Sequence, residues 1–165
     1  MPQLRMKETR GLRTKRGVWG STEVATFLDR LRPLWSLLTE AVPQVVLDAS
    51  CTAHLQPIHL LHRRVIEISD ALLILAPYRD AQAVADTLAQ SGRSGWCADR
   101  TRAVVDAVEV MTALQSYPKG PTCTESMLDH SRPATPLPST LGGEIRRFSL
   151  LTDELCRHGL LTRVA

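Results

Sequence analysis

The sequence predicts an all-α protein, a four- or five-helix bundle with a flexible basic N-terminal arm and a proline-rich segment before the last helix. Aliphatic residues recur at three-and-four spacing in several stretches, which is the period of an α-helix. Aromatic residues make up only 4% of the chain, so the core must consist of Leu, Val, Ile and Ala. Such a core suits helices packed on helices better than a β-sandwich or a barrel. The 165 residues are enough for one domain with a substantial core.

The predicted arm covers residues 1–19 and concentrates the positive charge of the protein. Residues 1–16 are net +5, and since the whole chain is formally +3, the remainder sums to −2. Clustered positive charge attracts phosphate groups, so the arm is a candidate nucleic-acid contact that binds backbone phosphates without reading sequence. The alternative is a solvated tail. The candidate contact residues are Arg5, Lys7, Arg10, Arg13, Lys15 and Arg16.

The first predicted helix begins near Ser21 or Thr22, which can cap it, and has Glu23 in its first turn. Apolar residues with helical spacing continue from there to Val42. Pro33 interrupts this stretch, so either the helix kinks or two short helices meet there. Pro43 ends the segment, and residues 45–47 (VVL) are predicted as a short extended piece.

The second helix is predicted over Pro57–Leu75 and has the clearest apolar pattern. A heptad seam runs along it, and additional apolar residues in its second half widen the stripe. A helix that is apolar around so much of its circumference is expected at the centre of a bundle. The seam alternatively suits a homodimer. The seam consists of Ile58, Leu61, Val65, Ile68, Leu72 and Leu75, and the widening residues are Ile66, Leu73 and Ile74.

A third, shorter helix is predicted over residues 79–90, followed by a flexible break at residues 91–95 (SGRSG). The fourth helix is predicted over residues 98–116. On it, Arg102 and Asp106 form an i,i+4 pair on the more polar side. These elements complete a predicted helical bundle over residues 20–116.

Residues 117–142 differ in composition from the rest, because they contain five of the ten prolines together with Gly120 and Gly142. We interpret them as a linker, with one short helical turn over residues 125–129. The C-terminal segment, residues 143–165, is predicted to hold a helix over residues 144–158 that packs on the bundle or on a partner. Gly159 and Leu160 after it fit a Schellman cap.

One cluster of potential metal ligands occurs in the chain. Cys51, His54, His59 and His62 lie within twelve residues, and on a helix His59 and His62 are i,i+3 neighbours that could ligate together. A third ligand is not evident, since His54 precedes Pro57 and no Glu-x-x-His pattern is present. Surface and boundary positions are the more common role for such histidines.

No motif in the chain indicates catalysis or a cofactor. Nucleotide-binding glycine motifs and a serine nucleophile elbow are absent from the sequence. The four cysteines form no C-x-x-C pair, and we expect each to be a small buried hydrophobic residue with a reduced thiol. Glu154 and His158 are spaced for an i,i+4 pair, which the dipole at a helix C-terminus explains without catalysis. We therefore predict no catalytic residues and no cofactor.

The sequence favours a non-enzymatic helical interaction or regulatory module that contacts nucleic acid through the basic arm. A protein partner or a homodimer would use its helical faces. The longest apolar run, residues 71–76, is too short for a membrane span, and no secretory signal is evident, so a cytoplasmic location is expected. The alternative function is a small helical metal-binding protein or enzyme that uses the region of His54, His59 and His62.

Overall fold

The structure, a computed structural model, describes residues 19–47, 55–119 and 140–161. The predicted all-α fold is confirmed, because the described part of the chain contains five α-helices and no strand. Short 3₁₀ turns follow α1, α2 and α4. The helices are α1 (Ser21–Ala41), α2 (Pro57–Leu75), α3 (Ala81–Ser94), α4 (Ala98–Ser116) and α5 (Leu141–Arg157).

The core is aliphatic, as the composition predicts, and lies where α1, α2, α4 and α5 meet. α1 packs along α2 and also against α5, while α4 packs against α3 and α5. Phe148 is the only aromatic residue among the fully buried side chains of the described chain. The other large residues without exposed surface are Leu31, Leu34, Leu38, Leu61, Ile68, Leu151 and Leu155.

α1 is a single helix that passes through Pro33, so the alternative of two short helices is wrong. The helix begins at Ser21, and its N-cap is Gly20 instead of the predicted Ser21 or Thr22. The Glu23 carboxylate accepts a hydrogen bond from the Gly20 backbone N–H at 3.0 Å. Burial of leucines on both sides of Pro33 stabilises the continuous helix against the hydrogen bond that proline removes.

The predicted extended piece at residues 45–47 is wrong in its first residue. Pro43–Val45 forms a 3₁₀ turn, in which Val45 is buried and its N–H donates to the Val42 carbonyl at 3.3 Å. Pro43 occupies the first position of this turn, where its missing N–H costs nothing.

α2 has the predicted bounds, but only one of its faces is buried. Ile66 is 51% exposed and Leu73 is 71% exposed, so two of the three residues that widen the apolar stripe lie outside the core of the described chain. The reason lies in the packing, because α5 packs mainly against α1 and α4 and meets α2 over a short stretch.

α3 is longer than predicted and includes residues 91–94 of the expected flexible break. The Asp80 side chain caps its start by accepting hydrogen bonds from the N–H groups of Gln82 and Ala83 at 2.8 and 3.2 Å. The helix ends at Gly95, whose φ of 62° lies in the left-handed region that glycine adopts without strain.

α5 begins at Leu141, three residues before the predicted start, because the Thr140 hydroxyl caps it by accepting from the Gly143 N–H at 3.2 Å. Its end confirms the Schellman cap. The Leu160 N–H donates to the Leu155 carbonyl and the Gly159 N–H donates to the Cys156 carbonyl, each at 3.1 Å.

Three predictions fall on residues outside the described part of the chain. They are the basic arm over residues 1–16, most of the proline-rich segment with its helical turn at 125–129, and the part of the metal cluster formed by Cys51 and His54.

Candidate functional site

A cleft of about 300 Å³ lies between the C-terminal half of α2, the middle of α4 and the first half of α5. It lies where α2 makes few contacts with α4 and α5, and Leu75, Phe148 and Leu151 of its lining belong to the hydrophobic core. Clefts of this volume with an apolar lining and a few polar groups are the usual form of a binding site. The apolar residues that line it are Leu72, Leu73, Leu75, Ala76, Val110, Ala113, Phe148 and Leu151.

The polar part of the lining contains a buried ion pair between α4 and α5. Asp106 is 3% exposed and accepts a hydrogen bond from Arg147 Nε at 2.8 Å. Arg102 approaches the other carboxylate oxygen at 3.7 Å but does not line the cleft. The prediction that Arg102 and Asp106 lie on a polar side of α4 is therefore wrong, since Asp106 faces inward to hold α5.

A second ion pair joins Arg79 to α4 at the same cleft. Arg79 Nη1 lies 3.3 Å from Glu109 Oε1, and both residues are part of the lining. This pair is more accessible than the first, so it contributes less to stability and leaves polar groups beside the apolar floor.

Glu144, in the first turn of α5, completes the charged lining. Its Oε2 atom is buried, and no hydrogen-bond donor within the described residues reaches it. The nearest cation is Arg147 Nη1 at 3.7 Å, beyond hydrogen-bond distance. A buried carboxylate oxygen without a donor is uncommon in folded proteins.

α2 exposes two large apolar side chains, and one of them lies in the cleft lining. Leu73 lines the cleft, and Ile66 lies two turns earlier on the same face of the helix. Exposed Asp70 lies between them, four residues after Ile66 and three before Leu73. Ile66 and Leu73 are therefore separate exposed apolar residues on the outside of α2.

Another buried carboxylate, Glu67, lies at the junction of α1 and α2. It is 3% exposed and accepts hydrogen bonds from Trp35 Nε1 at 2.7 Å, Arg63 Nε at 2.9 Å and the Leu47 backbone N–H at 3.0 Å. Both of its oxygens are thereby used. Glu67 holds the chain after the Pro43–Val45 turn against the two helices, which is a structural role.

Arg64 reinforces the same junction. Its Nη1 donates to the Leu28 carbonyl at 3.1 Å, and its guanidinium lies 4.7 Å from the Trp35 ring centroid. Burial lowers the pKa of Arg64 below its ordinary value, and the nearby positive charge of Arg32 lowers it further. Arg64 therefore contributes to α1–α2 packing.

The structure places the predicted metal ligands His59 and His62 on the exposed surface of α2. Within residues 19–47, 55–119 and 140–161, no group of three or more His, Cys, Asp or Glu residues is arranged to hold a metal. His158 Nε2 lies 3.8 Å from Glu154 Oε1, while Arg157 also pairs with Glu154 at the end of α5.

The expectation of buried cysteines is wrong for the two that the structure describes. Cys97 is exposed as the N-cap residue of α4, and Cys156 is half-buried on α5. Cys97 is exposed because the N-cap lies outside the packed part of the helix. Cys51 and Cys123 lie outside the described residues.

Sequence reasoning missed the cleft and its charged lining. The available indication was the apolar excess in the second half of α2, which we interpreted as additional core. The three apolar residues of α2 outside the heptad seam could form either a second buried face or an exposed apolar one. Only the packing of the other helices decides between these alternatives.

None of the five helices described combines the length and apolar character needed to cross a membrane.

Comparison with known proteins gives one match, to a protein family. No curated protein and no solved structure matches the chain. The model of a family of unknown function (DUF6545) matches residues 19–158, which include all five helices, and the chain therefore belongs to this family.

Proposed function

We propose that the protein is a non-enzymatic helical interaction module whose α2–α4–α5 cleft receives apolar side chains of a partner protein. The observation that carries this proposal is the apolar cleft lining, of which the 71% exposed Leu73 is a part. A large apolar side chain exposed at the edge of an apolar cleft is typical of interaction sites. A helix laid along such a groove would bury leucine-like anchors at helical spacing.

The test is a titration of the ¹⁵N-labelled protein with a neutral amphipathic peptide of about 15 residues, built from Ala and Gln with leucines along one face. We expect amide shifts near Leu73, Val110 and Phe148. The Leu73→Ser variant should weaken binding, because it removes the most exposed apolar side chain of the cleft lining.

Leu160→Ser is the matched control, since Leu160 is an exposed leucine beyond the end of α5 and does not line the cleft. Binding that is lost equally in both variants would contradict the proposal, as would a peptide that shifts no amide of the cleft.

As a second function, we propose that the basic arm binds nucleic acid through backbone phosphates. The net charge of +5 over residues 1–16, against −2 for the rest of the chain, supports this proposal. Phosphate binding of this kind releases counterions, so the logarithm of the binding constant should fall linearly with the logarithm of the salt concentration.

The experiment measures binding of the full chain to labelled duplex DNA and RNA over a salt series, beside a variant that lacks residues 1–16. We expect a slope of several units in the full chain and a flattened slope in the variant. The thermal midpoint of the variant should not change if the arm lies outside the bundle. Binding that survives the deletion unchanged would contradict this role.

A further inference from the structure

We infer that the exposed face of α2 pairs with the same face of a second copy of the chain, in an antiparallel homodimer whose two-fold axis passes at Ile66. This surface differs from the cleft of the proposed function and shares only Leu73 with it. The predicted heptad seam cannot form the contact, because Leu61, Val65 and Ile68 of that seam lie in the core. A dimer through α2 must therefore use the opposite side of the helix.

Beyond its first residue, the exposed positions of α2 form one narrow face. They are spaced three or four residues apart, which places them in a single row along a helix. Ile66, at the centre of the row, is half-exposed, and Leu73 is more exposed still. Exposed Leu47 lies beside this centre, because its backbone N–H donates to Glu67, the residue after Ile66. The row consists of His59, His62, Ile66, Asp70 and Leu73.

The order of side chains along this row is self-complementary. In an antiparallel pair of helices centred on Ile66, positions equally far before and after that residue face each other across the axis. His62 lies four residues before Ile66 and Asp70 lies four after it, so each copy places its histidine opposite the aspartate of the other. His59 and Leu73, seven residues before and after, are opposed in the same way. The ring N–H of a histidine is a donor for a carboxylate.

Charge favours this arrangement over the alternatives. Within one chain His62 and Asp70 are eight residues, or about 12 Å, apart along α2 and cannot pair with each other. Neither side chain makes a hydrogen bond or ion pair with another residue of the described chain. A parallel pair of helices would place aspartate beside aspartate, whereas the antiparallel pair gives two His62–Asp70 contacts. An unrelated apolar helix would cover Ile66 and leave Asp70 without a donor, so a second copy fits this face better.

The test is sedimentation equilibrium of the full chain over an about 100-fold range of protein concentration. We expect a weak monomer–dimer equilibrium, because one helix from each copy buries less than the roughly 1,200 Å² of a standard interface. His62→Asp should weaken the dimer about tenfold, since it sets two carboxylates against each other at both ends of the contact. The combined variant with His62→Asp and Asp70→His exchanges the two side chains and should restore dimerisation.

Ala89→Asp is the matched control, because it adds the same negative charge at an exposed position of α3. It should leave the monomer–dimer equilibrium unchanged. The substituted side chains are all exposed, so each variant should keep the thermal midpoint of the parent chain.

A chain that stays monomeric at every concentration would overturn the inference. A dimer that His62→Asp leaves intact would overturn it as well, because such a dimer would use another surface. The same holds for a combined variant that dimerises no better than His62→Asp alone. The proposed function fails or stands separately, since no peptide is present in this experiment and the amides of Val110 and Phe148 report on the cleft.

Discussion

At the scale of single residues, the buried carboxylates of Glu67 and Asp106 each hold neighbouring helices together. Glu67 accepts hydrogen bonds from Trp35, Arg63 and the Leu47 backbone, and the partners of Asp106 include Arg147 on the facing helix. Both are almost fully buried, so each charge depends on its partners for compensation. Removal of such a buried group should therefore lower the free energy of unfolding more than removal of a surface charge.

Glu67→Ala should lower the free energy of unfolding by about 3 kcal/mol, because Arg63 and Trp35 lose their common acceptor in a buried place. Urea unfolding monitored by circular dichroism measures the change. Glu40→Ala, at an exposed position on α1, should change it by less than about 0.5 kcal/mol. Similar losses in both variants would contradict the role of Glu67.

Arg147→Ala and Arg146→Ala form a matched pair of neighbouring residues on α5. Arg147 pairs with buried Asp106, whereas Arg146 pairs with Asp99 at 2.7 Å on the exposed surface. We expect Arg147→Ala to cost about 2 kcal/mol and Arg146→Ala about 0.5 kcal/mol or less. Chemical unfolding of both variants provides the comparison, and the reverse order would contradict the stabilising role of the buried α4–α5 ion pair.

At the scale of elements, the helix ends follow local rules that hold within one turn. Asp80 and Thr140 cap α3 and α5 through their side chains, and Gly95 and Gly159 follow the ends of the same helices with positive φ angles of 62° and 74°. Each of these features depends on residues close in sequence. Whether replacement of a glycine raises or lowers stability therefore depends on the backbone conformation of that glycine.

Gly92 and Gly95 provide a test of this point three residues apart. A Cβ atom would meet nothing within 4 Å at either position, so only backbone conformation distinguishes them. Gly95→Ala should cost about 1 kcal/mol, because alanine is strained in the left-handed region. Gly92→Ala, within α3, should stabilise by about 1 kcal/mol. Thermal unfolding of both variants checks this, and changes of the same sign would contradict the helix boundary.

At the scale of the whole molecule, the core covers one side of α2 and leaves Ile66 and Leu73 exposed on another. Ile68 has no exposed surface, while Ile66 is half-exposed two residues earlier on the same helix. Substitutions on these two faces should therefore have different effects on the stability of the fold.

Ile68→Ala should lower the free energy of unfolding by about 3 kcal/mol, through lost burial and the cavity left behind. Ile66→Ala removes the same atoms from a position with half of its surface in water, so it should cost less than about 1 kcal/mol. Denaturant unfolding of the pair tests the asymmetry of α2. Equal costs would mean that Ile66 is covered in solution.

The sequence by itself determined the elements of this protein. The bounds of α2 and α4, the aliphatic core and the Schellman cap of α5 were predictable, because periodicity, proline positions and caps act over a few residues. The prediction was less accurate for residues 91–94, which continue α3 although they contain one glycine and two serines, and the first of these serines, Ser91, is buried.

Only the tertiary structure decided which surfaces are covered. The inward position of Asp106 and the exposure of Ile66 and Leu73 depend on how α5 packs against α1 and α4, and the hydrogen bonds of Glu67 depend on how α1 packs along α2. That packing brings together residues 30 or more positions apart, and a helical pattern specifies which residues share a face but not which neighbour covers it. The cleft lies between α2 and the α4–α5 pair, which make few contacts with each other, and this relation between helices is not contained in the sequence of any single element.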